Sequence, residues 1–486
     1  LGDLYASYRL PRAIRRSHFG SSHSGPNRGG SFCRPLQWAK VSIRHTMWSI
    51  LERFQDLRVF MATLLVASIP VCHKMQLLGP SRGKLTELGV GLGVYSLLMW
   101  KLLSGDEASS KSAWKYPAIT VQRSAAEPSC YDSYDVSSAS AAKNSFEAVG
   151  DLIIKEVTTE LKAGCEMPSL EVKWVTDMLE YNVKGGKMNR GMMVVQSGIA
   201  LFKQRGLKID SKVLTRLAIL GWCIEWLQAF FLILDDIMDA SSHRRGKPCW
   251  YQVKDVQMIA INDGLLLEQM IYRLLKKHFG DEPYYSQLID FFLETTFQTS
   301  CGQLLDTICE KVDIEDFTRD RWHLVCKYKT AYYSFYCPVA LGMIVAGIKD
   351  AKAFDAARDP LITMGIYFQA QDDYLDAFGT LEQLGKVGTD IQDRKCSWLF
   401  ATAWAKLLTP EQKKYMKEHY GKCKVGSAEE KQIKALYDKI GLKNAYTDYE
   451  EASVKEIREA RSTVEAHGLP WSLFEEFLNK IYKRSK

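Results

Sequence analysis

Paired cysteines are what this chain most plainly lacks: its 12 are scattered through 486 residues with no C-x-x-C among them. That excludes a zinc ribbon or a disulfide frame and leaves reduced, mostly buried thiols of an intracellular protein as the expectation. Long hydrophobic runs are scarce near the start. The two at 59–72 and 88–100 have 14 and 13 residues, short of the roughly 20 needed to span a bilayer, so only a membrane-associated or signal-like segment stays open there. Net positive charge is missing beyond the first stretch. Residues 1–58 hold ten Lys/Arg, nine of them Arg, against Asp3, Glu52 and Asp56, which accounts for the whole formal charge of +7. The rest is balanced, and without a clustered excess of cations no nucleic-acid partner is expected. No Asn-Gly or Asp-Gly hairpin stands between alternating runs and no repeat has solenoid length. The string Gly89, Gly91, Gly93 has the wrong spacing for a dinucleotide fingerprint.

What is there divides into three. Residues 1–103 form an N-terminal extension. Its first 58 residues, rich in Arg and Ser and broken by Gly and Pro, have the composition of an organellar transit peptide or of a plain leader. The cytoplasm is the default compartment; mitochondrial or other organellar targeting, and membrane contact through the extension, are the alternatives. Residues 104–143, with Pro117 and Pro128 among Ser, Ala, Lys and Asp, read as a linker. From 144 to 486 the pattern is of long helices: 212–239, 253–279, 319–348 with a kink at Pro338, 360–378, 397–408, 428–440 and 447–467. The body is expected to be all-α.

Two constellations carry the chemistry. Asp235, Asp236 and Asp239 form D-D-I-M-D after the apolar stretch 229–234, and Asp372, Asp373 and Asp376 form D-D-Y-L-D after 366–371. Each has the spacing i, i+1, i+4, which on a helix stacks two carboxylates on one face a turn apart. Such clusters beside apolar surface are costly unless cations compensate them, and hard oxygen ligands with room for phosphate oxygens suit Mg²⁺. Two such faces can clamp one diphosphate through bridging metals. Either motif alone would more often be a solvated acidic helix end. A matched pair, each followed by basic residues, is not explained that way. Arg244 and Arg245 follow the first and Lys386 and Lys395 the second, with Lys187 and Arg190 on a glycine-flanked turn upstream. Paired arginines fork onto phosphate oxygens, whereas lysines act as point charges.

The strings GGKMNRG, LQAFFLILDDIMDASSHRRGKPCWYQ, KYKTAYYSFYCPVA, FQAQDDYLDAFG and GKVGTDIQDRKCSW resemble, in order, the signature blocks of the farnesyl diphosphate synthases, short-chain trans-prenyltransferases of the isoprenoid synthase family. The resemblance runs from about residue 144 to the basic end 483–486. It implies an all-α isoprenoid synthase bundle around a deep central cavity, a homodimer, and condensation of isopentenyl diphosphate with an allylic diphosphate. By the same resemblance Asp235, Asp236, Asp239, Asp372, Asp373 and Asp376 would hold three Mg²⁺ ions on the allylic diphosphate, with Arg244, Lys329, Lys386 and Lys395 as cationic partners. Lys187, Arg190, Gln228 and Arg245 would bind isopentenyl diphosphate without metal. Thr330 and Gln369, with the Lys329 carbonyl, would stabilise the allylic cation. Departures are mild: His243 stands before the paired arginines, Leu384 precedes Gly385, and Ser485 interrupts the basic tail.

Phe230 and Phe231 lie five and four residues before Asp235, about one helical turn below the motif. In the family resembled, aromatic residues there go with stopping at a C15 product; as composition alone they are equally core phenylalanines. Tyr332, Tyr333, Phe335 and Tyr336 likewise line the cavity or simply pack. A terpene synthase, a geranyl or geranylgeranyl diphosphate synthase, and a non-catalytic partner subunit remain the alternatives.

Overall fold

The computed structural model describes residues 134–380 and 387–482. The N-terminal extension, most of the expected linker, Lys386 and the basic end therefore lie outside the described residues. Helix α1 (Ala139–Gly164) opens on Ser138, whose hydroxyl accepts from the Ala141 N–H, and it buries Phe146, Val149, Ile153, Val157 and Leu161 at helical spacing. Helices α2 (Ser169–Val183) and α3 (Asn189–Gln204) lead to α4 (Ser211–Met238), capped by the Asp210 carboxylate on the Val213 N–H. Among the described residues α4 alone is long and apolar enough to cross a membrane, yet most of it is buried by its neighbours. A helix apolar all round belongs at the centre of a bundle. Trp222 ties it to α1, stacking on Phe146 with ring centroids 5.0 Å apart and donating its indole N–H to the Phe146 carbonyl at 2.7 Å.

Helices α5 (Ile259–Phe279) and α6 (Tyr285–Thr307) close one side of α4. The chain continues through α7 (Arg319–Val325), a wide-turned segment Cys326–Tyr336, α8 (Cys337–Val345) and α9 (Ala351–Phe378). Then come α10 (Trp398–Thr402), α11 (Pro410–His419), α12 (Ala428–Lys439), α13 (Leu442–Glu459), α14 (Arg461–Ala466) and α15 (Trp471–Ile481). Their apolar faces merge into three packed groups. One is centred on α4, one on Trp322, Trp398 and Phe400, and one on Tyr367, Phe474 and Phe477. Apart from one short hairpin, the described residues form an all-α bundle.

The sequence pattern differs from the structure in several places, one being the helix expected at 360–378, which already starts at Ala351 as α9. A hairpin exists after all, β1 (His243–Arg244) against β2 (Lys247–Pro248), with Arg244 opposite Lys247. Its turn is Arg245-Gly246, both at positive φ, the geometry of a two-residue hairpin turn without the usual Asn or Asp. Helix 253–279 starts only at Ile259, because Asp255 and Gln257 also take positive φ. The segment 447–467 is two helices, α13 and α14, meeting at Ala460. In 319–348 the disturbance is upstream of Pro338 rather than at it. Proline has no N–H to give the Ser334 carbonyl and its ring would collide there. The preceding turns open instead, and the Cys337 N–H reaches back five residues to the Tyr332 carbonyl.

Tyr134 is buried and its hydroxyl donates to the Ala142 carbonyl at 3.3 Å, so the first turn of α1 is held by residues before 144. A chain shortened to start at Asn144 should lose at least the Ser138 cap, about 1 kcal/mol, relative to one starting at Tyr134. Denaturant midpoints of the two check this, and equal midpoints would mean that 134–143 add nothing to the fold.

Candidate active site

Asp235 and Asp236 fill the last turn of α4, and Asp239 is its C-cap. A helix C-terminus already carries partial negative charge, so three carboxylates there oppose the dipole and gain nothing locally. Cations from elsewhere make the arrangement tolerable. The hairpin turns Arg244 back onto α4: its Nε donates to both oxygens of Asp236 at 2.8 and 2.9 Å, and Nη2 to Asp235 at 3.3 Å. Arg245, held at φ 52, points away and donates to the Lys184 carbonyl at 3.3 Å, lying across Gly186.

Two lysines complete the set. Lys329 donates to Asp235 at 3.0 Å and to Asp306 at 2.6 Å, and Lys395 donates to Asp239 and Asp306, both at 2.9 Å. Gln303 adds an N–H to Asp235 at 2.8 Å. Gln303 and Asp306 sit one turn apart on α6. Gly302 beside them lets α6 lie directly on the wide-turned segment, since any Cβ there would collide with the Lys329 backbone nitrogen. Burial disfavours charge on every member, yet opposite charges outweigh it. Lys329 and Lys395 are held above the ordinary lysine value by Asp306 with Asp235 or Asp239, and Asp306 is held well below the carboxylate range by the two lysines. Asp239 is the exception, raised because burial exceeds the help from Lys395.

The second motif lies on α9 and is braced differently. Asp373 accepts from the Gln369 amide at 3.0 Å, the Trp322 indole at 2.9 Å and the Trp398 backbone N–H at 2.7 Å. Burial nevertheless pushes its pKa up, with the neighbouring Asp372 charge adding to the shift. Asp376 accepts from the backbone N–H groups of Thr389 and Asp390 at 3.0 and 3.1 Å, and Gly388 is pressed against it. That contact anchors the loop from which Lys395 reaches α4. Asp372 is half-buried on the same turn. The motifs are joined through adjacent residues: Lys329 bonds Asp235, while Thr330 donates to Gln369 at 3.1 Å, which bonds Asp373.

A separate polar corner forms around Arg190 at the start of α3. Its guanidinium donates to Ser334 at 2.9 Å, Gln228 at 3.1 Å and the Tyr333 hydroxyl at 3.2 Å. Glu225, buried in α4, accepts the Gly191 N–H at 2.8 Å and seats that first turn. Lys187 is exposed beside it. Between the corner and the carboxylates, Phe230 and Phe231 lie 4.7 Å apart by ring centroid, and Phe231 lies 6.3 Å from Tyr333. All the site residues named from sequence are therefore described except Lys386. Asp306, Gln303, Glu225 and Trp322 were not named. Their only trace in sequence is a polar pair at i, i+3 after Gly302, and lone polar or indole groups in apolar helices.

Around the site stand the carboxylates of Asp235, Asp236, Asp239, Asp306, Asp372, Asp373 and Asp376, against the cations Arg244, Lys329 and Lys395. A diphosphate would add more negative charge, so such a ligand needs further cations. Among the described residues no three Asp, Glu, His or Cys side chains converge enough to hold an ion unaided. The donors fit a hard divalent metal that takes part of its coordination from phosphate oxygens.

An all-α bundle with two braced aspartate motifs at one end of its central helices is the frame of a prenyltransferase. Residues 172–440 match the family model described as Polyprenyl synthetase. The chain is 46% identical over 350 residues to the farnesyl pyrophosphate synthase of Candida albicans, covering 71% of this chain and 99% of that protein. It is 47% identical over 338 residues to that of Saccharomyces cerevisiae, covering 69% and 95%. Among solved structures, T. brucei farnesyl diphosphate synthase complexed with minodronate matches with a TM-score of 0.66 at 34% identity, over 71% of this chain and 100% of that one. This chain belongs to the polyprenyl synthetase family, whose members generally use a divalent metal.

Asp306 should matter to fold and turnover alike. Asp306→Asn leaves two lysines short of a buried partner and should destabilise by about 3 kcal/mol. Because the folded-state pKa of Asp306 is depressed, its contribution is complete above the ordinary carboxylate pKa of about 4 and fades as pH falls below it. Unfolding curves for wild type and variant should therefore approach each other in acid. A gap that stays constant from pH 7 to pH 3 would show that the charge is not what stabilises.

Proposed function

We propose that the protein is a farnesyl diphosphate synthase, joining isopentenyl diphosphate head to tail with dimethylallyl and then geranyl diphosphate. The observation that carries the reading is the braced pair of aspartate motifs with Phe230 and Phe231 one turn beneath the first. Mg²⁺, three ions by family resemblance, would be held by the two motifs and would neutralise the departing allylic diphosphate. Asp235 and Asp239 are the stronger candidate ligands on α4, since lysines hold them and a lysine stem can swing to a phosphate oxygen. Asp236 is clamped on both oxygens by Arg244, and Asp373 and Asp376 are held by an indole and by backbone, which supports a framing role beside Asp372. Arg244, Lys329, Lys395 and Lys386 add positive charge where the leaving group gains negative charge. Lys187, Arg190, Gln228 and Arg245 hold isopentenyl diphosphate, whose double bond attacks the allylic cation. The Thr330 hydroxyl and the Gln369 amide oxygen stabilise that cation, which lasts only where water that would quench it is kept out. The proton lost at the end leaves with the released diphosphate.

A homodimer is supported by an exposed apolar stripe, with Ile261 and Leu265 on α5 beside Leu293, Phe297 and Leu304 on α6 and Ile308 just after it. Contiguous apolar surface of this kind marks an interaction face. The cytoplasm remains the proposed compartment, and a fluorescent fusion carrying residues 1–58 would reveal organellar targeting instead.

Purified protein given Mg²⁺, dimethylallyl diphosphate and labelled isopentenyl diphosphate should release farnesyl diphosphate; a hydrocarbon product, or none, would overturn the reading. Asp235→Asn and Asp372→Asn should each lower kcat by about 100-fold or more with the helical circular dichroism unchanged. If the two phenylalanines floor the cavity, Phe231→Ala, and more so the double change with Phe230→Ala, shifts products from C15 to C20 and longer. As plain core residues they would instead cost about 3–5 kcal/mol and leave the product unchanged. Phe297→Glu should convert the dimer to monomer in analytical ultracentrifugation.

A further inference from the structure

Arg319, the first residue of α7, has no carboxylate partner among the described residues. Its guanidinium stands over three rings instead, 5.0 Å from the Trp322 centroid, 5.3 Å from Trp398 and 5.2 Å from Tyr449, and donates one hydrogen bond to the Thr402 hydroxyl at 2.6 Å. The rings also touch each other: Tyr449 meets Trp322 edge-on at 6.1 Å and Trp398 at 5.3 Å. Trp322 and Trp398 are 2% and 1% exposed, so neither can move without disturbing the packing. These two tryptophans are also the residues that hold one oxygen of Asp373, Trp322 through its indole N–H and Trp398 through its backbone N–H. Arg319 thus lies one residue away from the second aspartate motif without touching it.

We propose that Arg319 is a positioning residue for the metal–diphosphate site: caged by Trp322, Trp398 and Tyr449, it fixes the two donors that aim Asp373 and with it the binding face of α9. The proposal rests on the diphosphate-binding reading of that face. A cation on an indole face draws electron density from the ring and strengthens its N–H as a donor, so Arg319, Trp322 and Asp373 form a cation–indole–anion series whose members reinforce one another. Only a planar guanidinium can lie against several rings while bonding Thr402, and a lysine ammonium would keep the charge but not the fork. An arginine serving merely as packing would influence stability and leave both substrates equally affected. A positioning arginine acts on one substrate alone, because the corner around Arg190 shares none of these contacts.

Arg319→Met, which keeps the stem and removes the charge, should weaken binding of inorganic pyrophosphate in the presence of Mg²⁺ by about tenfold in calorimetry. It should also raise KM for dimethylallyl diphosphate while leaving KM for isopentenyl diphosphate unchanged. Arg319→Lys should recover part of the affinity. Should the methionine variant not fold, Tyr449→Leu opens the same cage from its far side and should give the same selective loss, whereas Tyr449→Phe, which keeps the ring, should not. Wild-type affinity in a stable Arg319→Met protein, or equal loss for both substrates, overturns the proposal. Failure of the wild type to bind pyrophosphate with Mg²⁺ overturns the reading of the site itself, and this inference with it.

Discussion

Carboxylates crowded at the negative end of a buried helix are the constraint from which the rest of the site follows. Asp235, Asp236 and Asp239 stand where the α4 dipole disfavours them, so Arg244 must be turned back from just beyond the motif, and Lys329 and Lys395 delivered from distant stretches of chain. Each delivery has its own backbone device. A strained two-residue turn aims Arg244, the contact of Gly302 with the wide-turned segment sets Lys329, and the Asp376 grip on the 389–390 backbone carries Lys395 across. Asp306 then balances the lysines from below. Removing a single charge leaves a buried opposite charge without its partner, which is costlier than losing the pair together.

The two aspartate motifs look alike in sequence and differ in structure. On α4 the carboxylates face long cationic side chains that can exchange partners. On α9 Asp373 and Asp376 face an indole, an amide and backbone N–H groups. One face is braced by long flexible side chains and the other mostly by short or backbone donors. A site that must grip a diphosphate and then release it needs both, a fixed wall against which the ligand is placed and a wall of mobile charge that can follow it.

Legibility in the sequence tracked how local the determinant is. The helices of the body could be read from the 3.6-residue apolar period, and the site's first-named residues from two short motifs with their basic followers, because both signals are contained in a few residues. Asp306 could not be read, since nothing near it in the chain shows that Lys329 and Lys395 converge on it. The hairpin was missed because Arg245-Gly246 lacks the Asn or Asp that normally marks such a turn; there the fold imposes a left-handed arginine that local preference would refuse. The shifted starts of α5 and α9 are cases of tertiary packing overriding a local boundary. Asp350 caps α9 ten residues before Pro360, and the proline is carried inside the helix.

The wide-turned segment Cys326–Tyr336 acts as a gauge. Lys329 faces the first aspartate motif, Thr330 faces Gln369 beside the second, and Tyr333 and Ser334 face Arg190. Six consecutive residues, 329–334, thus set the spacing between the first aspartate motif and the corner around Arg190, to which the proposed function gives one diphosphate each. Were the segment to relax into an ordinary α-helix, its two ends would fall out of phase, and the motif and the corner would no longer face each other at the present spacing. The helix irregularity upstream of Pro338 therefore works as a spacer between motif and corner, and the proline is its stop.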